Sequence, residues 1–323
     1  MMRRLHLSVR EFLTDAVRTS LILFKIMIPV SIVIKILRET GVIEIIGVAF
    51  APVMELLGLP GAMGLVWVTG MVTNLYGGIL AFVSFSADYP LTAAQATVVT
   101  TMMLVAHSLP VELQVARTAG AALLPMLLLR VGGGYLIGAF LALFYRLSGI
   151  LGDPSTLSWS APPPTDSSLT VWALGEIRNY LMIFLIITVL LILMALLKKL
   201  GIIAFMERLF GPVLGFIGIG RAVAPLTIVG MTLGISYGGA LIIREAQTGC
   251  ISRRDLFFSM ALLGLCHSFI EDTLLMMSLG GHWSGLLLAR TLFAVGTVWV
   301  LVRLASRMTE KQFALLFLRP TGR

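Results

Sequence analysis

Charge is what this chain has least of. Asp, Glu, Lys and Arg supply only 12% of its 323 residues, against about a quarter in a soluble domain. So little charge cannot hydrate a folded surface of ordinary size. A soluble enzyme, a disordered tail protein and a nucleic-acid binder are thereby excluded. Cysteine is scarce as well: Cys250 and Cys266 lie in apolar surroundings and read as free thiols, not as a disulfide framework. No Walker-type glycine–lysine loop occurs. Neither a nucleophile elbow nor a cofactor motif is found, so neither enzymatic activity nor a cofactor is expected.

What is present is hydrophobic. Apolar residues make up 58% of the sequence and the mean hydropathy is +0.98, which marks an integral membrane protein. The net charge of +8 comes from basic residues scattered beside apolar segments, as in cytoplasmic loops of membrane proteins. The N-terminal Met1-Met2-Arg3-Arg4 leads into an amphipathic stretch without a small-residue cleavage site, and is read as an interfacial segment, not a signal peptide.

A span needs about 20 apolar residues, and candidates are 19–37, 93–116, 121–145, 179–197, 256–279 and 284–302. Two other apolar stretches, 61–85 and 221–243, are interrupted by central glycines. Residues 41–59 and 201–219 are apolar but punctuated by Glu44, Glu55, Glu207 and Arg208, and are expected to be interfacial helices.

The sequence also repeats itself at an offset of 160. Phe50-x-Pro52-Val53 matches Phe210-x-Pro212-Val213, and Gly70-Met71 matches Gly230-Met231. Tyr76-Gly77-Gly78 matches Tyr237-Gly238-Gly239 after a shift of one. His107-Ser108 then matches His267-Ser268, Glu112 matches Asp272, and Arg130 matches Arg290. Apolar similarity alone would not place histidines, acids and arginines in the same order. The expected organisation is an N-terminal amphipathic segment (1–17), a first repeat (18–147), an external linker (148–177), a second repeat (178–305) and a cytoplasmic tail (306–323).

Repeats in transporters run parallel or inverted according to how often each unit crosses the membrane. If 61–85 and 221–243 are re-entrant hairpins, each repeat crosses three times and the two are inverted. That arrangement puts 17 Lys and Arg inside and 4 outside, as the positive-inside rule requires. The expected fold class is therefore all-α: a polytopic membrane protein of two inverted repeats. Each would have about three spans, one interfacial helix and one re-entrant hairpin. The expected location is the bacterial inner membrane, with both termini cytoplasmic.

The duplicated unit, with its Tyr-Gly-Gly tip and following His-Ser span, resembles the nucleoside recognition (Gate) domain in two copies, over 18–145 and 178–305. That domain is itself similar to parts of concentrative nucleoside transporters, to the membrane domain of ferrous-iron transporters and to spore maturation proteins. The resemblance implies a transport-like fold and leaves the solute open. No nucleoside-binding or iron-binding motif of those proteins matches residue by residue.

Two constellations carry chemistry. The hairpin tips, Asn74, Tyr76, Gly77 and Gly78 with Ser236, Tyr237, Gly238 and Gly239, would offer backbone groups to a solute, or else serve close helix packing. The third spans hold His107, Ser108 and Glu112, and His267, Ser268, Glu271 and Asp272. Ionisable groups at such depth usually line a pathway. On a continuous helix the His-x4-acid spacing turns about 500°, which is not one clean face. These groups are read as proton relay, cation ligands or solute contacts, or as acids neutralised by Arg130 and Arg290. A metal site needs three or four convergent ligands, which sequence does not show. The methionine pairs Met102-Met103 and Met276-Met277 read as apolar filler.

The expected function is transport of a small polar solute or ion by alternating access at a midplane site. The alternatives are a metal- or ion-conducting pore using the His/acid pairs, and a non-transporting scaffold of a membrane complex. Expected partners are membrane lipid and a small polar solute or ion, with no nucleic acid; a homo-oligomer is left open.

Overall fold

The computed structural model describes residues 17, 21, 24–25, 28–29, 31–37, 39–157, 169–235, 241–244 and 251–319. Among these residues the chain is all-α, with two isolated β-bridges, Thr92 to Pro154 and Ala121 to Leu318. The first half contains α1 (Val42–Glu55), α2 (Ala62–Val72), α3 (Leu75–Ser86), α4 (Ala93–Val105), α5 (Leu109–Thr118) and α6 (Leu123–Ser148). The second contains α7 (Leu169–Lys199), α8 (Ile202–Ile217), α9 (Ala224–Leu233), α10 (Arg253–Leu265) and α11 (Glu271–Met277). A π-helical stretch, Ser284–Ala289, then runs into α12 (Arg290–Ala305), and α13 (Glu310–Phe317) follows.

Among the described residues, four stretches are long and apolar enough to cross a membrane: 93–118, 123–148, 169–190 and 284–305. They differ in surroundings. Along α4, every residue from Ala96 to Val105 is buried, and α10 is buried from Leu256 to Leu265. In contrast, α6, α7 and α12 turn Leu136, Phe140, Leu147, Leu181, Val189 and Leu292 outward. Contiguous apolar exposure on that scale is foreign to a soluble monomer and natural against lipid. The half-helices therefore form the core, and the long helices form the lipid-facing wall.

Two of the expected spans are not continuous. The run 93–116 stops at Val105, and 256–279 stops at Leu265. Ala106 (φ −131°, ψ 82°) and Cys266 (φ −149°, ψ 88°) leave the helical region. Ser108 (φ 48°) and Ser268 (φ 49°) then take the left-handed conformation before the helix resumes. L-residues adopt that conformation at a cost, and here it recurs at matched positions. Both half-helices start at a side-chain cap: Thr92 forms a capping box with Gln95, and Ser252 accepts from the Asp255 N–H. Thirteen residues at 1.5 Å each extend about 20 Å, too short for a bilayer core of about 30 Å.

In the first half, α2 and α3 fold back on each other. A Cβ added to Gly78 would lie 3.0 Å from Gly70 Cα and 2.8 Å from Met103 Cε, so the two helices cross with glycine against glycine. Asn74 Oδ1 caps α3 by accepting the Gly77 N–H at 2.9 Å. A Cβ on Gly77 would collide with Thr73 Oγ1. The break after α4 is docked on this pair through Ser108 N–H to Gly70 O (3.0 Å), and its counterpart is docked on α9 through Phe269 N–H to Met231 O (2.7 Å).

Helix ends fall into two groups. At one, Ala93 and Ala94 donate to Asp153 O and Leu151 O, Tyr145 Oη meets Ser284 Oγ at 2.8 Å, and His282 N–H donates to Thr97 Oγ1. At the other, Ala122 N–H donates to Phe317 O and Arg319 N–H to Gly120 O, while Arg254 donates to Ala305 O and Met308 O. The C-terminal end of α6 thus lies beside the start of the 284–305 helix, and the end of that helix leads back to the start of α6. These two helices correspond at the 160-residue offset, and they run in opposite directions.

Candidate functional site

A helix that stops inside an apolar core leaves carbonyls without partners, and side chains complete the end of α4. Trp67 Nε1 donates to Met102 O (3.1 Å), His107 Nδ1 to Met103 O (2.9 Å), and Arg130 Nε to Val105 O (3.1 Å). In the second half, His267 Nδ1 repeats the same bond to Leu263 O at 2.7 Å. Cationic and donor groups suit a helix C-terminus, and acids suit an N-terminus. Accordingly Glu112 lies in the first turn of α5, and Glu271 and Asp272 in the first turn of α11.

The two breaks meet. The His107 and His267 rings have centroids 5.1 Å apart, and both Nε2 atoms face one carboxylate oxygen. Glu112 Oε1 is 3.3 Å from His107 Nε2 and 3.5 Å from His267 Nε2, while Glu112 Oε2 pairs with Arg130 Nη1 at 2.6 Å. These side chains are almost fully buried. Each histidine carries its Nδ1 proton toward a carbonyl, which can only accept, so Nε2 is the atom presented to the centre.

The halves are not equivalent at the side-chain level. Arg130 forms the expected ion pair with Glu112. Arg290, wholly buried, instead donates to Thr273 Oγ1 at 3.3 Å, and reaches Asp272 only through space. The neutralisation expected from Arg290 is therefore indirect. Among the described residues, Arg290 Nε and Nη1 and Arg130 Nη2 have no hydrogen-bond partner.

The sequence-derived candidates divide accordingly. His107, Glu112 and His267 converge. Asp272 N–H donates to Ser268 O (3.1 Å), and Asp272 lies within electrostatic range of both imidazoles. Tyr76, from the α2–α3 tip, lies within electrostatic range of Glu271 and Asp272 in the other half. Asn74, Gly77 and Gly78 have local duties in capping and helix crossing, and Ser108 shapes the backbone at the break. Ser236, Tyr237, Gly238 and Gly239 lie outside the described residues. Sequence reasoning missed Trp67 and the capping use of Arg130. On a continuous helix His107 and Glu112 would not share a face; the break at 106–108 lets them meet.

Fold, composition and buried ionisable centre define a polytopic all-α membrane protein. Residues 20–122 match the Gate family model, described as nucleoside recognition. The match takes in α1 to α5, and with them His107, Ser108 and Glu112. The chain is also similar to the uncharacterized membrane protein YvoD of Bacillus subtilis (strain 168), with 26% identity over 285 residues, covering 86% of this chain and 88% of that protein. No solved structure matches.

Proposed function

We propose that this protein is a transporter-like membrane protein that moves a small polar solute or ion by alternating access, through a site where the two helix breaks meet. One observation carries the reading. His107 and His267, equivalent residues of a duplicated sequence, present Nε2 to the same Glu112 oxygen from two broken helices. Interrupted helices with polar groups at their ends are how transporters of inverted-repeat construction hold a solute at mid-depth.

The opposite course of α6 and the 284–305 helix supports an inverted relation between the halves. Charge supports an orientation. The cluster of ends around residues 118–122, 253–254 and 305–319 carries Arg117, Arg253, Arg254, Arg303, Arg307, Lys311 and Arg319, whereas the opposite cluster carries Arg146. By the positive-inside rule the basic end faces the cytoplasm. Residues 148–157 then lie outside, with both termini inside.

The test is accessibility of the centre. Ser268→Cys, in a background of Cys250→Ser and Cys266→Ala, should react with a small membrane-impermeant thiol reagent in both right-side-out and inverted vesicles. Reaction from neither face would mean a sealed, non-transporting core.

A further inference from the structure

We propose that the His107–Glu112–His267 centre is a binding site for a borderline divalent transition-metal ion of the zinc or iron(II) type. The proposal deepens the transport reading by naming the class of ion handled, and it rests on that reading only for the claim that the ion moves.

Three donor atoms, His107 Nε2, His267 Nε2 and Glu112 Oε1, all lie within 4.8 Å of one another. Ordinary charge-assisted hydrogen bonds between such groups are about 2.7–2.9 Å, and the two Nε2–Oε1 distances are longer, 3.3 and 3.5 Å. An ion with bonds of about 2.0–2.1 Å and tetrahedral geometry separates its ligands by roughly 3.3–3.4 Å. The two carboxylate–imidazole separations therefore suit ligands around a common ion better than direct hydrogen bonds, and the imidazole nitrogens lie within 4.8 Å of each other.

The supporting groups agree. Ligating histidines characteristically donate their other ring N–H to a carbonyl or carboxylate, which fixes tautomer and ring orientation. Both histidines do so, to Met103 O and Leu263 O. Arg130 holds Glu112 by Oε2 and leaves Oε1 directed at the imidazoles. Charge does not forbid a cation, because the two arginines beside the centre, Arg130 and Arg290, are matched by the acids Glu112 and Asp272. Two imidazoles with one carboxylate favour zinc or iron(II) over calcium or magnesium, which take oxygen ligands. Three protein ligands leave a position open, as in exchangeable sites, whereas structural zinc sites close all four.

The probe is cobalt(II), applied to the tag-free full chain in detergent. Tetrahedral coordination by two imidazoles and a carboxylate gives intense visible d–d absorption that zinc should abolish by competition. The expected result is one cobalt per chain. His107→Gln and His267→Gln should each weaken binding by more than about a hundredfold, since loss of a ligand should exceed the 10–100-fold cost of an outer-shell change. His282→Gln, whose ring nitrogen already bonds Ser284, should bind as wild type. Unaltered binding in both ligand variants would overturn the proposal. If those variants do not fold, zinc-edge X-ray absorption of the wild-type protein decides: two imidazole nitrogens support it, and an all-oxygen shell overturns it. Cobalt binding with Ser268→Cys inaccessible from both faces would uphold the metal site and defeat transport. Accessible Ser268→Cys without cobalt binding would do the reverse.

Discussion

His107 and His267 stand 160 positions apart in sequence, and their rings lie 5.1 Å apart in the fold, with both Nε2 atoms directed at Glu112 Oε1. Each is the second residue past the end of a 13-residue half-helix and bonds the carbonyl four residues earlier. The contact joins the two copies of the duplicated unit at the point where each interrupts its own helix. It relates the repeat in the sequence to the buried centre in the fold.

The asymmetry between the two arginines predicts unequal couplings. Removing one partner of a buried pair leaves an uncompensated charge costing about 3–5 kcal/mol, whereas removing both is often nearly neutral. Glu112→Gln and Arg130→Gln should each lower thermal stability strongly, and the double variant should recover most of it. Asp272→Asn with Arg290→Gln should couple more weakly, because Arg290 donates to Thr273. Equal coupling energies in thermal-denaturation cycles would show that the second pair is also direct.

At the crossing of α2 and α3, size should matter more than conformation. Gly78→Val would drive its side chain into Gly70 and Met103, and overpacking of this kind costs about 1–3 kcal/mol or more. By contrast Gly132 has open space around its Cβ position in the middle of α6. Gly132→Ala should therefore stabilise, by up to about 1 kcal/mol from helix propensity. Melting temperatures moving in the same direction for both variants would contradict the packing account.

Ser108 and Ser268 give a third test. Their left-handed backbone costs an L-residue roughly 1–2 kcal/mol that glycine avoids. Ser108→Gly should raise the melting temperature. Ser268→Gly should raise it as well, because Ser268 has the same left-handed backbone conformation. A drop in stability for Ser108→Gly would mean that its hydroxyl, and not its backbone, matters at the break.

Orientation is checked by labelling in intact cells, again without the native cysteines. Asp153→Cys should react from outside, and Arg307→Cys only after permeabilisation. The opposite pattern would invert the assignment drawn from the basic cluster of helix ends.

The duplication, the paired His-Ser and acid positions, and the glycines at the α2–α3 tip are all visible in the sequence, because polar residues at a fixed offset stand out against an apolar background. The helix breaks were harder to see. The run Leu104-Val105-Ala106 contains no breaker, serine is not a customary left-handed residue, and Pro110 sits at the first turn of α5, where proline is tolerated. The signal lay upstream. Thr92-x-x-Gln95 and Ser252-x-x-Asp255 are helix starts at matched offset, and a helix from either cap to its histidine is too short to cross. Arg130 is more than a counter-ion because it bonds the carbonyl end of α4 as well as Glu112, a double duty that exists only once the helix is broken. The different partner of Arg290 depends on side-chain packing around Thr273, which the repeat pattern does not encode.

The central claim is that one centre, built from both repeats, passes an ion across the membrane. Zinc uptake into proteoliposomes containing the full chain, followed with a trapped fluorescent zinc indicator, addresses it most directly. The account predicts saturable uptake above protein-free vesicles, abolished alike by His107→Gln in the first repeat and His267→Gln in the second, in variants that remain monodisperse and cooperatively folded. Uptake that persists in either folded variant, or a wild-type signal no greater than that of empty vesicles, would contradict it.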